Sequence, residues 1–215
     1  MDKNRRVVVT GIGAITPLGK TTSETWEGLK NGKNGIAPIT AFDTENFKAK
    51  LGAEVKDFDP KEYMDVNDTL RTDRYAQFAV AAADQAVEES KIEGTVDPDR
   101  FAVIFGTGIG GIGTFEREHT KLMERGPRRV SSLFVPMMIG NMASGMIAIR
   151  HDCRGRLKLT TNIHFNLPPR TGQRTLWNDC SLKMPIFRRK RLLLNRTLSL
   201  LVDSLIATSY SLTAL

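Results

Sequence analysis

The chain has 215 residues, a net charge of +7 and only two cysteines, Cys153 and Cys180. That length allows one or two domains with a sizeable core, and two cysteines exclude a disulfide framework and fit a reducing compartment. MDKNRRVVVTG is too weakly apolar for a signal peptide, and no stretch reaches the roughly 18 apolar residues of a membrane span, so a cytoplasmic protein is expected.

The charge divides unevenly. Residues 156–215 hold ten Lys and Arg against Asp179 and Asp203, a net +8, whereas residues 1–155 hold 21 basic against 22 acidic side chains, a net −1. All 18 glycines but Gly172 lie before residue 156. Composition therefore changes at Gly155, and the expected units are residues 1–155 and a basic tail, 156–215.

In chain order, RVVVT at 6–10 reads as a strand, and GIGAITPLG at 11–19 as the loop leaving it. Thr21 with Glu24 three residues on is a capping box, so a helix is expected there, with Trp26 and Leu29 on one face and a stop at Asn31-Gly32. Asp59-Pro60 reads as an N-cap followed by proline at the first helical position, opening a short turn through Met64. Residues 72–90 carry Tyr75, Phe78, Ala79, Ala82, Ala83 and Ala86 at helical spacing, and the small residues suit close approach of a neighbour.

FAVIFGTGIGGIG at 101–113 is the centre of the pattern. Its apolar run reads as a strand buried on both faces, followed by glycines and an amphipathic helix over 114–125 that ends at Gly126-Pro127. An apolar loop from Val130 and a helix from near Pro136 to Arg150 follow, where Gly140, Ala143, Ser144, Gly145 and Ala148 again suit close packing. Strands alternating with helices of this length predict an α/β fold with a largely parallel, helix-covered sheet.

Gly106, Gly108 and Gly111 match GxGxxG between a strand and a helix, the form of a dinucleotide fingerprint. The fingerprint also needs a second strand ending in an acid about 20 residues on. Glu124 instead ends a helix and Gly-Pro-Arg-Arg follows it. The glycine loop at 106–113 does not continue into Lys-Ser/Thr, so a phosphate-cradling loop is not expected there. The sequence implies no cofactor and no metal.

RRVVVTGIGAITPLG, TTSETWEGLKNGKNGI, FDTENF, FGTGIGG, SLFVP, GNMASG and RHDCRG, in this order, resemble the start of a type II β-ketoacyl-acyl-carrier-protein synthase. The resemblance runs from about Asn4 to Gly155, roughly the first third to half of such an enzyme. It implies part of the first half of a thiolase-like αβαβα sandwich, which in the family pairs as a homodimer. It also implies acyl transfer to a cysteine and decarboxylative Claisen condensation with malonyl carrier protein in fatty acid biosynthesis. Such chemistry needs a thiolate of lowered pKa and fixed donors for the developing oxyanions.

The family's Thr-Ala-Cys turn has no counterpart here. Ungapped, its nucleophile falls on His164, and with one residue deleted on Ile163. Cys153 in HDCRG reads as a small packed residue, and Cys180 lies in the unlike tail. The two histidines of the family come from its second half. Of the histidines here, His119 reads as a surface residue and His151 as the end of a helix. No catalytic residue is therefore assigned, and this chain is expected to be inactive alone.

By resemblance, Ile109 matches a residue of the acyl pocket and Phe134 one that approaches the partner's pocket across the dimer. Core packing explains either equally well. Arg71 and Arg74 match basic residues that meet the acidic acyl carrier protein, in a patch interrupted by Val66, Asn67 and Leu70. A solvated helix start explains both arginines as well.

The tail's Arg188-Arg189-Lys190-Arg191 run could touch nucleic acid or an anionic membrane, although no nucleic-acid partner is expected. LSLLVDSLIATSYSLTAL could form a helix, or the tail is irregular and an out-of-frame or fused product. The alternative functions are a non-catalytic protein that pairs with a full-length synthase, and a basic module built on the tail.

Overall fold

The computed structural model describes residues 7–160 and 210–211. Its elements in order are β1 (Ile12–Gly13), α1 (Thr22–Lys30), β2 (Ala37–Pro38), β3 (Leu51–Gly52), α2 (Val66–Leu70) and α3 (Arg74–Ser90). There follow β4 (Val103–Gly106), α4 (Ile112–Arg125), α5 (Phe134–Met138), α6 (Met142–Arg150), β5 (Leu157–Thr160) and β6 (Tyr210–Ser211).

α3 is the axis on which the rest is hung. It is buried all round over residues 75–83, as expected of a helix with neighbours on every side. Its alanines admit β1 on one side and α6 on another. The approach of β1 is a backbone-on-backbone contact. A Cβ on Gly13 would collide with the Ala82 carbonyl oxygen, and one on Gly11 with that of Ala86. The main core joins Tyr75, Val80 and Val87 of α3 to Val103 and Phe105 of β4 and Ile147 of α6. A second cluster packs Ile15 and Phe58 against Phe78.

The capping box forms in part. Thr21 Oγ1 accepts the Glu24 amide at 3.1 Å, while Glu24 reaches back to the amide of Lys20 rather than that of the cap residue. Thr21→Ala is expected to lower stability by about 1 kcal/mol in urea denaturation, the usual value of such a cap. A loss below about 0.3 kcal/mol would show that water replaces the threonine without penalty. Gly32, with φ +64°, ends the helix as expected. Asp59 caps a 3-10 turn over Pro60–Glu62 by accepting the Lys61 amide.

Several expectations are corrected. Residues 7–10 form no strand, and Val7, Val8 and Val9 are exposed. The strand instead starts at Ile12, where Gly11 and Gly13 pin the chain against α3. The face of α1 that carries Trp26 and Leu29 is exposed, at 60% and 55% for the two residues. The strand of the glycine motif is not covered on both faces either: Val103 and Phe105 are buried, but Ile104 is 60% exposed. Of the three two-stranded ladders among the described residues, only β4–β5 is parallel. The helix expected from Pro136 divides into α5 and α6, with Ile139 extended between them.

The register of the parallel ladder sets Val103 against Leu157 and Gly106 against Thr160. This pairing carries the sheet past the composition change at Gly155. Of the tail's expected helix, only Tyr210–Ser211 are described, and they are strand, antiparallel to β1.

Candidate functional site

The glycine loop joins β4 to α4, and three successive amides at its end are engaged within the chain. Gly110 donates to Thr107 Oγ1 at 3.1 Å, Gly111 to the Met138 carbonyl at 2.8 Å, and Ile112 to the Gly110 carbonyl. A phosphate cradle needs such amides free and pointing outward. The glycines serve a different purpose here. A Cβ on Gly110 or Gly111 would strike the carbonyls of Met138 and Met137, and one on Gly140 would press on Thr107. The loop and the α5–α6 junction therefore meet backbone to backbone, and this contact fixes where α5 sits relative to β4.

Asp73, buried at the start of α3, holds the other end of the loop. Its carboxylate caps α3 and accepts both the Thr114 amide (3.0 Å) and the Thr114 hydroxyl (2.5 Å). Arg117 in turn donates to that hydroxyl. Tyr75, the second residue of α3, donates to the Ile139 carbonyl at 2.6 Å, and burial pushes its phenol up to about 12. α3, the glycine loop and the α5–α6 junction are thus tied by directional bonds as well as by packing. Asp73 was not singled out in the sequence, although an aspartate directly before a helical apolar run is an N-cap signal.

Ile109 projects from this loop, partly exposed. Phe134 opens α5, half-buried, with its ring 6.1 Å from that of Phe115 on α4. Arg71 and Arg74 are both exposed but differ in their surroundings. Arg71 caps the end of α2, whereas the Arg74 guanidinium lies 4.8 Å from the Phe78 ring centre and donates to the Val55 carbonyl.

Cys153 is buried, and its thiol is pushed up to about 11, first by burial and then by the charges of Asp152 and Glu93. It follows the C-terminus of α6, the end of a helix dipole that disfavours a thiolate. His119 is exposed on α4 and stacks on Phe115. His151 ends α6, as expected, with both ring nitrogens engaged by carboxylates. These three residues form no nucleophile–base pair. Ile163, His164 and Cys180 lie outside the described residues, as does the run at 188–191. Among the described residues, no His, Cys, Asp and Glu group could hold a metal, and no helix is long and apolar enough to cross a membrane.

This architecture is that of the thiolase-like ketosynthases. It superposes on the ishigamide ketosynthase/chain length factor with a TM-score of 0.63 at 30% identity, covering 73% of this chain and 40% of that one. A family model described as beta-ketoacyl synthase, N-terminal domain, matches residues 4–160, and the chain belongs to that family. It is 46% identical over 154 residues to 3-oxoacyl-[acyl-carrier-protein] synthase 2 of Synechocystis sp., covering 71% of this chain and 37% of the relative. A type II PKS acyl-carrier protein in complex with its ketosynthase, bound to the hexaketide, shares the fold at TM-score 0.61 and 21% identity, over 74% of this chain and 42% of that one. The chain spans little more than a third of the length of the curated relatives it matches.

Proposed function

We propose that residues 4–160 are the N-terminal part of a 3-oxoacyl-acyl-carrier-protein synthase of fatty acid biosynthesis, and that this chain alone does not condense. The 46% identity to the Synechocystis synthase over 154 residues carries the assignment. In this reading Ile109 and Phe134 belong to the wall of an acyl site, held in place by the glycine loop and by α5. The carrier protein would be met by Arg71 and Arg74. Arg71 is the stronger candidate of the two, because Arg74 is already invested in Phe78 and Val55.

The chemistry of the groups among the described residues supports inactivity. A nucleophile must be a thiolate near neutral pH, and burial keeps the Cys153 thiol protonated there. His151 has no ring nitrogen free to accept a substrate proton. Purified full chain incubated with acyl and malonyl carrier protein is expected to give no 3-oxoacyl product and no acyl adduct at Cys153. Turnover of either kind would overturn this half of the reading.

One observation favours a second role. Ile104, on the face of β4 opposite the buried Val103 and Phe105, remains exposed, and strands with apolar faces are usually covered. A non-catalytic subunit paired with a complete synthase would cover it. Co-expression with a tagged synthase, followed by recovery of both chains in one peak, is the expected result under that reading. Separate elution removes it.

A further inference from the structure

The junction between α6 and β5 carries a group that the proposed function does not use. His151 lies at the end of α6 with its side chain only 8% exposed, between two carboxylates from distant parts of the chain. Its Nδ1 is 2.6 Å from Glu93 Oε1, in the connection after α3, and its Nε2 is 3.0 Å from Asp84 Oδ1 on α3 itself. A carboxylate offers only lone pairs, so both contacts are satisfied only when both ring nitrogens carry hydrogen. The neutral ring has a hydrogen on one nitrogen and would aim a lone pair at the other carboxylate.

We propose that His151 is a pH-operated latch, whose imidazolium fastens the α6–β5 turn to α3 and whose deprotonation releases it. The charged groups around the ring support this arrangement. Arg150, on the same helix, donates to Asp84 at 2.7 Å and to the Tyr63 carbonyl, and so fixes that carboxylate. Asp152 lies on the turn, paired with Arg154 and facing the solvent, and the Cys153 thiol is buried beside it. Among the described residues the imidazolium is the counter-charge of Glu93, at 2.6 Å.

The latch controls a defined segment. Asp152 is left-handed, with φ +49°, a conformation that aspartate adopts more readily than most non-glycine residues, and it turns the chain out of α6. Beyond it, the Arg154 amide bonds the Pro98 carbonyl and the Gly155 amide that of Phe101, bringing β5 into register with β4. Releasing His151 loosens the anchor that precedes these bonds.

The sign follows from the shift. The Asp84 hydrogen bond, with Glu93 adding to it, raises the His151 pKa above its ordinary 6.5 against the opposing effect of burial. The latch is therefore fully closed below 6.5 and opens as pH rises through the folded value. The full chain, followed by NMR of the His151 ring and by amide exchange of residues 153–155 between about pH 5.5 and about pH 8.5, tests it. We expect a ring midpoint above 6.5 and a several-fold loss of protection, corrected for intrinsic exchange, on the alkaline side.

H151Q is expected to remove that pH dependence. Since H151Q could fail to fold, E93Q provides a second arm, because Glu93 is well exposed and its loss leaves the packing intact. It is expected to lower the ring midpoint and flatten the protection profile. A midpoint at or below 6.5 in the parent chain, protection that does not change with pH, or an E93Q midpoint equal to the parent's would each overturn the latch.

Discussion

Gly110→Ala is expected to be among the most damaging single substitutions in the described chain. Gly110 has φ +87°, in a region that L side chains avoid, and an added Cβ would strike the Met138 carbonyl and lie 2.9 Å from the Gly140 amide nitrogen. The backbone cost alone is about 1–2 kcal/mol. Overpacking against atoms that cannot rotate away adds about 1–3 kcal/mol. A small domain has only about 5–15 kcal/mol in all, so a large fraction of the stability is lost.

Gly113→Ala, three residues on, should have the opposite sign. Gly113 lies inside α4, has no positive φ, and an added Cβ would find its nearest atom, Arg117 Nη1, at 3.6 Å. Removing backbone freedom from a helix gains up to about 1 kcal/mol. Urea titration of both variants beside the parent chain separates the two effects. Equal midpoints for the two variants would mean that the loop glycines are not held by backbone contact.

These glycines also show where local sequence suffices and where it does not. The motif predicts a sharp strand–helix turn, and the turn is there, because φ preference is a property of a few consecutive residues. What the turn packs against is decided by Met137, Met138 and Gly140, about thirty residues later. Gly145 shows the converse. It was expected to serve close packing like its neighbours, yet a Cβ there would meet nothing within 4 Å. Ala143, Ser144, Ile147 and Ala148 are the residues of that helix that are buried.

The caps at Thr21 and Asp59 and the long helix α3 were legible for the same local reason. The strand expected at 6–10 was not, because a β-ladder exists only if a partner lies alongside, and no local cue encodes the partner. Coverage of Ile104 likewise depends on a layer that a run of apolar residues cannot specify. At the candidate site, Ile109, Phe134, Arg71 and Arg74 came from resemblance to a family, and the fold places them without assigning them work. The latch was beyond reach of any local reading: Asp84 and His151 are 67 residues apart, and Glu93 and His151 58 apart.

Asp73→Ala is the second large expected loss. Its carboxylate is buried and serves three donors: the Tyr75 amide at the start of α3, and the amide and hydroxyl of Thr114 on α4. Losing a helix cap costs about 1 kcal/mol. Leaving the buried Thr114 groups without an acceptor costs about 1–3 kcal/mol for each group that water cannot reach. Asp73→Asn keeps one acceptor oxygen, enough for both Thr114 donors or for the Tyr75 amide but not for all three, and should retain part of the stability. Thr114→Val removes the hydroxyl but leaves its amide in place. The two sites touch, so Asp73→Ala and Thr114→Val combined should cost less than the sum of the singles, by about 0.5–3 kcal/mol. Additive losses would mean that Asp73 stabilises α3 alone and does not join it to the glycine loop.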